Sequence, residues 1–326
     1  MEIKEVKITD KNMISKITNF INLYDNIDVK QTIEWGTFRD ENKFLLYSEN
    51  EDQSICMYLN AFEVYDEEIK QNIIYIPRGP VYDKKYCSLE ECLNAVCIYF
   101  KNNKYKYIVT NPKTSEINLK RLTNKEVQLI DKGDFFKLKE SWKDAILDIK
   151  GETPETLLKS FHYKTRYNIR RSIKYGVITT VENQIDLEEF YNLYIVTARR
   201  HDFTPHSKEY FQKLLKIFKE KLIFGVTKYE DNILAMSINV MQSNTFFYLY
   251  GVSSEQHRNK FASYNLHNTM IEYALNKGFS CYSFGGAFCY NDDYMNKDYG
   301  LTIFKSRFCT NGFREYIPDI VINVGG

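Results

Sequence analysis

Proline, glycine and tryptophan are scarce in this chain: its 326 residues include 6 prolines, 14 glycines and 2 tryptophans. This scarcity excludes proline-rich or glycine-rich linkers, low-complexity tracts and fibrous repeats. With 44% hydrophobic and 27% charged residues, the composition is typical of an ordered globular protein. At roughly 150 residues per domain, the length favours about two domains.

The chain also lacks an excess of charge of either sign. The 44 Lys and Arg nearly cancel the 43 Asp and Glu, which leaves a formal net charge of +1. Any site for nucleic acid or another anion must therefore be a local patch. No apolar run approaches the roughly 18 residues that span a bilayer, and residues 1–20 have no apolar signal-peptide core. We expect a cytoplasmic protein that can touch a membrane but does not cross it.

Patterns for metal binding and disulfides are missing as well. The 7 cysteines include no CxxC pair, and the 5 histidines include no HExxH pair. We therefore predict reduced thiols and no metal site. Cys87, Cys92 and Cys97 follow one another at five-residue steps, and this spacing predicts that they are spread around a helix and do not converge.

Hydrophobic periodicity predicts alternating helices and strands in both halves of the chain. Ser88 and Glu91 form a capping box before an apolar helical stripe. Asp186 caps a second helix, and Thr153 followed by Pro154 starts a third. The helix capped by Asp186 is predicted at residues 187–200. Further helices are predicted at residues 10–23, 207–218 and 262–277, and strands at residues 44–48, 55–62, 72–76, 105–110, 222–228, 233–241, 245–251 and 281–284.

The order helix, antiparallel meander, helix, strand occurs twice at about half-chain spacing. Such a repeat of a whole group of elements indicates two similar domains. We therefore predict an α/β (α+β) fold class, with one domain at residues 1–148 and the other at residues 149–311.

The loop at residues 253–262 follows a predicted strand and opens a helix. GNAT-type acyltransferases hold the pyrophosphate of acyl-CoA on helix amides at this place. Arg258 and Ala262 fit that loop loosely, but Asn259, Lys260 and Phe261 stand where glycines would let the backbone approach a pyrophosphate. The acetyl-CoA interpretation is weakened, and a plain strand-to-helix connection remains the alternative.

A local excess of positive charge lies at residues 159–176, which contain no acidic residue. The basic residues of this segment are Lys159, Lys164, Arg166, Arg170, Arg171 and Lys174. A helix of this composition can bind a phosphodiester backbone. A solvated helix face is the alternative interpretation of the same run.

Several short motifs occur in an order and at spacings that resemble the FemABX family. They are YIPRGPVYD at 75–83, the basic segment with Gly176 at 164–177, ARRH at 198–201 with Tyr210-Phe211, YLYG at 248–251, FGG at 284–286, and GLTIFK at 300–305 with Glu315-Tyr316. The similarity runs from about residue 35 to residue 316.

This resemblance implies a fold and an activity. FemABX members transfer an amino acid from aminoacyl-tRNA to the stem peptide of a peptidoglycan precursor, which builds the interpeptide bridge. The resemblance implies two tandem GNAT-like domains, the first completed by about residues 312–326 and binding the acceptor, the second on the tRNA side. Residues 207–224 leave no room for the coiled-coil arm that some members carry.

The resemblance also implies the partners. We expect an aminoacyltransferase that moves Gly, Ala or Ser to the side-chain amine of UDP-MurNAc-pentapeptide or lipid II. Aminoacyl-tRNA is then a co-substrate, and no cofactor is needed because the ester is already activated. We expect a monomer that makes peripheral contact with the inner membrane face.

Site residues follow from the same resemblance. Lys305 matches the family lysine that stabilises the oxyanion, and Phe304 lines the site. Tyr210 and Tyr250 match tyrosines that contact the acceptor. Arg39 falls near a family lysine that contacts the precursor, and a planar guanidinium suits a phosphate. The proposed tRNA-binding residues are Lys164, Arg166, Arg170, Arg171 and Lys174.

The acceptor site departs from the family pattern in places. Arg78 and Asp319 are further candidate acceptor-binding residues. Asn111 occupies the position of a family aspartate near the acceptor peptide, and an amide cannot act as a base. His206 falls where an arginine would contact phosphate. These departures leave the identity of the acceptor open.

Two other functions also remain open at this point. One is an acyl-CoA N-acyltransferase that acts on a small amine, against which the missing glycines after Arg258 count. The other is a non-catalytic precursor-binding protein, which Asn111 favours and the intact Phe304-Lys305 pair disfavours.

Overall fold

The computed structural model describes residues 1–25, 27–39, 43–67, 69–103, 105–118, 121–122, 126–129, 141–287, 295–317 and 319–325. Contacts divide the chain into two compact units. The first unit comprises Met1–Lys143 and Glu315–Gly326, and the second comprises Asp144–Arg314.

The described helices are α1 (Lys11–Asn22), α2 (Ile33–Phe38), α3 (Leu89–Asn102), α4 (Pro154–Ser160), α5 (Tyr163–Lys174), α6 (Leu187–His201), α7 (Lys208–Phe218), α8 (Ala262–Asn276) and α9 (Tyr299–Ser306). Short 3-10 helices lie at Val29–Gln31, Lys219–Lys221 and Arg258–Lys260. In the part of the chain that the structure describes, no helix is both long and apolar enough to cross a membrane.

The described strands are β1 (Lys4–Glu5), β2 (Lys43–Glu49), β3 (Ile55–Asp66), β4 (Gln71–Ile76), β5 (Val81–Tyr82), β6 (Tyr107–Thr110), β7 (Glu126–Leu129), β8 (Lys143–Asp148), β9 (Ile178–Glu182), β10 (Leu222–Tyr229), β11 (Asn232–Gln242), β12 (Thr245–Ser253), β13 (Cys281–Ala287), β14 (Arg314–Glu315) and β15 (Ile320–Asn323). Within the described ranges they form two sheets.

The first sheet has the strand order β1-β2-β3-β4-β6-β15-β7, and β5 pairs with β3. Strand β15 pairs with both β6 and β7, so the end of the chain lies inside this sheet. Strand β3 is covered on both faces. Met57 and Leu59 pack in one apolar cluster with Phe100 of α3, whereas Tyr58 packs in another with Ile17 of α1. Successive side chains point to opposite faces of a strand, which explains this alternation.

The second sheet has the order β14-β8-β13-β12-β11-β10-β9. Strands β10, β11 and β12 form an antiparallel meander, α8 follows, and β13 then pairs with β12 in parallel. The first sheet repeats this arrangement with β2, β3, β4, α3 and β6. The predicted α/β class and the repeated order of elements are therefore confirmed.

Local capping signals in the sequence are found in the structure. Glu91 N donates to Ser88 Oγ at 3.2 Å and Ser88 N donates to Glu91 Oε2 at 2.8 Å, which completes the capping box. Asp186 accepts hydrogen bonds from two amides at the start of α6. Thr153 caps α4 with Pro154 at its first position. Each cap satisfies backbone amides that the helix itself leaves without partners.

The basic segment is not one helix, which corrects the prediction for residues 159–176. Helix α4 ends at Ser160, the chain is extended at Phe161, whose ring is buried, and α5 begins after His162. His162 Nδ1 accepts a hydrogen bond from Lys164 N at 3.3 Å and so caps the new helix. Burial of one apolar ring thus interrupts an otherwise helical run.

The cysteine prediction was wrong for one pair. Cys87 precedes α3, and its Sγ lies 3.5 Å from Sγ of Cys92 in the first turn of that helix. Five-residue steps separate side chains only within a continuous helix, and Cys87 lies before the Ser88 cap. Cys289 lies outside the described residues.

Candidate active site

In the second unit, two parallel strands separate and leave room for a cluster of rings. The pairing of β12 with β13 runs from Thr245–Cys281 to Phe247–Ser283, and both strands continue beyond it. The imidazole of His267 lies there, with ring centroids 4.4 Å from Tyr248 and 4.7 Å from Phe284.

Gly251 makes this ring cluster possible. A Cβ atom at position 251 would lie 1.4 Å from Tyr248 Oη and 2.2 Å from its Cζ. Any other residue would therefore displace the Tyr248 ring that packs on His267. The glycine of the YLYG motif is needed for packing against the tyrosine of the same motif.

Lys305 lies on α9 and is almost fully buried, with 7% of its surface exposed. Its Nζ donates to the carbonyl oxygen of Gly286 at 2.6 Å, at the end of β13. Burial lowers the pKa of Lys305 to about 8, although Asp144 and Cys309 favour the charged form. The ammonium is therefore mostly protonated at pH 7 and loses its proton as the pH rises through about 8.

His267 is a buried neighbour of this lysine that sequence reasoning missed. Its Nδ1 lies 2.9 Å from Tyr282 Oη, and its ring centroid is 5.4 Å from that of Phe304. Burial, and secondarily the charge of Lys305, lower the pKa of His267 to about 3. His267 is consequently neutral at pH 7. A lone histidine in an apolar helix has no pattern that would have singled it out.

The predicted acceptor tyrosines of the second unit contact each other. Tyr210 Oη and Tyr250 Oη are 2.6 Å apart, and Phe211 packs against Tyr250. The ring of His206 is stacked on Tyr210, with centroids 4.0 Å apart and planes 6° from parallel. His206 N donates to Tyr194 Oη at 3.3 Å, which holds the segment before α7. The structure thus brings His206, Tyr210 and Tyr250 together.

The basic residues of α5 differ in what they contact. Arg166 donates to the carbonyl oxygens of Lys159 and Phe161, so its guanidinium holds the break between α4 and α5. Arg171 donates to the hydroxyls of Tyr167 and Tyr175. Lys164, Arg170 and Lys174 are exposed. Arg166 thus bonds the backbone, whereas Arg171 bonds two tyrosine hydroxyls of its own helix region.

In the first unit, Arg78, Asn111 and Asp319 form one hydrogen-bonded group. Asn111 is buried, with 3% of its surface exposed. Its Oδ1 accepts from Arg78 N at 2.7 Å, and its Nδ2 donates to Asp319 Oδ1 at 3.0 Å. The Arg78 side chain is also buried and donates to the carbonyl oxygen of Ser141. Its guanidinium lies 5.3 Å from the centre of the Tyr316 ring.

A buried ion pair lies in the same unit and was not predicted. Lys113 Nζ is 3.0 Å from Asp28 Oδ2, and only 10% and 11% of these two side chains are exposed. Burial opposes ionisation of Asp28, but Lys113, Lys30 and Arg78 outweigh it and hold its pKa well below the ordinary value. The pair joins residues far apart in the chain, so no local pattern could indicate it.

In the described part of the chain, Arg39 makes no hydrogen bond or ion pair with Arg78, Asn111 or Asp319. It is an exposed residue at the end of α2, and its guanidinium lies 5.8 Å from the Phe62 ring centre. Trp35, four residues earlier, is buried against Phe38. In the helix that ends just before Arg39, Gly36 packs closely against Asn60, because a Cβ there would lie 2.5 Å from Asn60 Oδ1.

Comparison with known proteins identifies the family. A sequence model of the FemAB family matches residues 136–232 and 226–323, which is more than half of the chain. The chain belongs to the FemAB family. The membership confirms the resemblance that the motifs indicated.

Two curated relatives of this FemAB-family chain are named transferases. A UDP-N-acetylmuramoylpentapeptide-lysine N(6)-alanyltransferase from Weissella viridescens is 28% identical over 180 residues, which cover 54% of this chain and 52% of the relative. Aminoacyltransferase FemB from Staphylococcus epidermidis is 21% identical and covers 54% of this chain and 56% of the relative. The chain spans about half the length of the curated relatives it matches.

Solved structures show the fold of this FemAB-family chain. The crystal structure of FemX has a TM-score of 0.79 at 19% identity and covers 99% of this chain and 97% of its own. A tandem GNAT protein from the clavulanic acid biosynthesis pathway has a TM-score of 0.55 at 8% identity and covers 100% and 99%. Two tandem GNAT-like folds are thereby confirmed. Only the 3-10 turn Lys219–Lys221 separates α7 from β10, so no arm is inserted there.

Proposed function

We propose that this chain is a tRNA-dependent aminoacyltransferase that adds an amino acid to the stem peptide of a peptidoglycan precursor. The observation that carries the proposal is Lys305, a buried ammonium held on the Gly286 carbonyl where the two parallel strands separate. Membership of the FemAB family and the names of both curated relatives support it.

The proposed reaction is aminolysis of the aminoacyl ester. The side-chain amine of the stem peptide attacks the ester carbonyl, a C–N bond forms, and the C–O bond to the tRNA ribose breaks. The amine loses a proton and the ribose hydroxyl gains one. Lys305 in its charged form stabilises the oxyanion of the tetrahedral intermediate, because a fixed cation in a low-dielectric interior acts strongly on developing charge.

Phe304 and His267 have supporting roles in this proposal. The Phe304 ring packs on the neutral His267 ring and on Tyr264, 5.0 Å away, so its position next to Lys305 is set by neighbours on α8. Apolar rings beside an ammonium exclude water, which strengthens its interaction with an oxyanion.

In the first unit we assign two kinds of residue to the acceptor. Arg39 is exposed and Asp319 is half-buried, so these two side chains are the ones we assign to contact with the precursor. Arg78 and Asn111 are buried in bonds to their neighbours, and we assign them to shaping the site. In the second unit, His206 stacked on Tyr210 replaces a guanidinium with a ring, which suits a ring or sugar of the precursor better than a free phosphate.

The alternative acyl-CoA transfer is disfavoured by the loop before α8. Phe261 has a φ of 58°, in the left-handed region, and gives no side-chain cap to the helix. Its ring and that of Tyr264 lie against each other there, with centroids 6.2 Å apart. Bulky side chains at these positions prevent the close backbone approach that a pyrophosphate needs.

The test is a mass-shift assay with the purified chain, total tRNA, aminoacyl-tRNA synthetases and UDP-MurNAc-pentapeptide or lipid II. Glycine, alanine and serine are supplied separately, with and without ribonuclease. We expect a ribonuclease-sensitive gain of one residue mass, lost in Lys305→Met. No gain with either precursor, or a gain that ribonuclease leaves intact, would refute the proposal.

A further inference from the structure

In the part of the chain that the structure describes, the positive charge of α5 and of Lys260, in the loop before α8, is not paired with carboxylates. No ion pair joins Lys164, Arg170, Arg171, Lys174 or Lys260 to another residue in the described ranges. Elsewhere in the same unit basic side chains are paired, as Lys159 is with Glu155 at 2.9 Å and Lys208 is with Glu188. An uncompensated group of cations on a chain with a net charge of +1 indicates an anionic partner.

The same cations are interleaved with aromatic rings. The Arg171 guanidinium lies 5.6 Å from the ring centre of Tyr167 and 5.2 Å from that of Tyr175. Lys260 Nζ lies 4.5 Å from the ring centre of Tyr175 and 4.1 Å from that of Tyr229. Tyr167 is exposed over 54% of its surface. The cluster therefore brings positive charge and aromatic rings together at one place, from α5, from β10 and from the loop before α8.

A series of ring contacts leads from this cluster to the candidate active site. The Arg171 guanidinium is 5.9 Å from the Phe261 ring centre. Phe261 contacts Tyr264 at 6.2 Å, and Tyr264 contacts Phe304 at 5.0 Å. Phe304 directly precedes Lys305. We call Tyr167, Tyr175, Phe261, Tyr264 and Phe304 the aromatic row.

We propose that the aromatic row, with Arg171 and Lys260, binds the unpaired 3′ end of the aminoacyl-tRNA and leads its terminal ester to Lys305. The inference rests on the proposed function and deepens it, because it assigns one surface to single-stranded RNA. Stacking of bases on aromatic side chains next to cations is the usual way in which proteins hold single strands. A duplex stem offers its phosphates but not the faces of its bases.

An anionic membrane is a poorer fit to this surface. A helix that lies in a membrane interface presents an apolar face opposite its charged face. On α5 the exposed Tyr167 lies on the same side as Arg171, and its hydroxyl accepts a hydrogen bond from that guanidinium. Charge and rings therefore share one face.

The test compares two fluorescent RNA hairpins with the same duplex, one blunt and one with a short unpaired 3′ tail. We expect the wild-type chain to bind the tailed hairpin at least about tenfold more tightly, since one stacked base contributes on the order of tenfold or more. Two double variants should lose most of this preference. One removes rings, Tyr175→Leu with Phe261→Leu, and the other removes charge, Arg171→Gln with Lys260→Gln. Tyr167→Leu, at an exposed position, should lose part of it without risk to folding.

Matched controls are available on the same helices. Tyr163 of α5 is as exposed as Tyr167, at 60%, but lies outside the aromatic row. Lys277 lies over the Tyr273 ring at 5.6 Å, just beyond the opposite end of α8, as Lys260 does over Tyr175. Tyr163→Leu and Lys277→Gln should keep the full preference for the tailed hairpin.

Other outcomes would overturn the inference. Equal losses on blunt and tailed hairpins would assign the surface to duplex phosphates. If the variants keep the preference for the tailed hairpin but lose binding to phosphatidylglycerol vesicles, the surface is assigned to a membrane. If the wild-type chain transfers an amino acid from charged tRNA but shows no tail preference, this inference fails and the proposed function stands. Absence of transfer and of all RNA binding refutes both.

Discussion

The amide of Asn111 donates a hydrogen bond to the carboxylate of Asp319, a residue 208 positions further along the chain. An aspartate at position 111 would place two carboxylates about 3 Å apart in a nearly buried setting. The amide thus makes the local arrangement compatible with the carboxylate of Asp319.

Asn111→Asp should destabilise the chain by about 1–3 kcal/mol at pH 7, because the hydrogen bond is replaced by repulsion between like charges. Repulsion raises the pKa of one carboxyl in the folded state above its unfolded value. The deficit relative to wild type should therefore be small near pH 4 and grow as the pH rises. Urea unfolding at several pH values measures it.

The exchanged double variant Asn111→Asp with Asp319→Asn is the control. It restores one amide and one carboxylate to the pair, so it should recover most of the stability that the single change loses. A single variant as stable as wild type at pH 7 would show that the hydrogen bond contributes little.

The charge of Lys305 should determine how turnover depends on pH. With a pKa of about 8 in the folded chain, the ammonium is lost as the pH rises through that value. Lys305→Arg keeps its charge to much higher pH. The ratio of wild-type to Lys305→Arg single-turnover rates should therefore fall as the pH rises through about 8, because the acceptor amine affects both equally.

Lys305→Met should remove activity and stabilise the fold. Burial of the ammonium lowers its pKa from 10.5 to about 8, so the protonated folded state is penalised at pH 7. Removal of the charge should stabilise the chain by about 1–3 kcal/mol. The folded chain holds fewer protons than the unfolded chain between about pH 8 and 10.5, so the advantage should shrink as the pH rises. Thermal unfolding at pH 7 and pH 10 gives the comparison, and a variant less stable than wild type at pH 7 would contradict it.

The Asp28–Lys113 pair should be important for stability. Lys113→Met leaves a buried carboxylate near Lys30 and Arg78 without its ion-pair partner, and a loss of roughly 3 kcal/mol is expected for a broken buried pair. Because the pKa of Asp28 is lowered, its contribution in wild type is present above about pH 4 and is lost as the pH falls further. The free energy of unfolding of Lys113→Met should therefore fall less steeply than that of wild type as the pH drops below about 4.

Lys4→Met is the matched control for this pair. Lys4 Nζ is 2.8 Å from Glu49 Oε2, but 43% of the lysine side chain is exposed. Water already solvates such a pair, so its removal should be nearly neutral. Similar losses in both variants, measured by urea unfolding, would mean that burial does not distinguish the two pairs.

Local sequence signals predicted most of the elements. The Ser88–Glu91 capping box, the Asp186 cap and the Thr153-Pro154 start each lie within a few residues of the backbone groups that they satisfy. The alternation and apolar runs of β10, β11 and β12 likewise report on short stretches of chain. Predictions from such signals were right because their causes are local.

Several short elements were not predicted from the sequence patterns. Strands β8 and β15 and helix α9 have few residues and no caps with a recognisable pattern. They are held by partners elsewhere in the chain, as β15 is by β6 and β7. Phe161 shows the opposite case, in which burial of a ring ends a helix that composition alone would continue.

By itself the sequence determined the α/β class, the duplicated order of elements, the family and the candidate lysine, because these depend on residue types and spacings along the chain. Only the tertiary structure decided that Lys305 is buried on Gly286, that neutral His267 supports Phe304, that Asn111 bonds Asp319 and that Lys113 neutralises Asp28. Those relationships join residues distant in sequence, and burial and charge at such contacts arise only when the chain has folded.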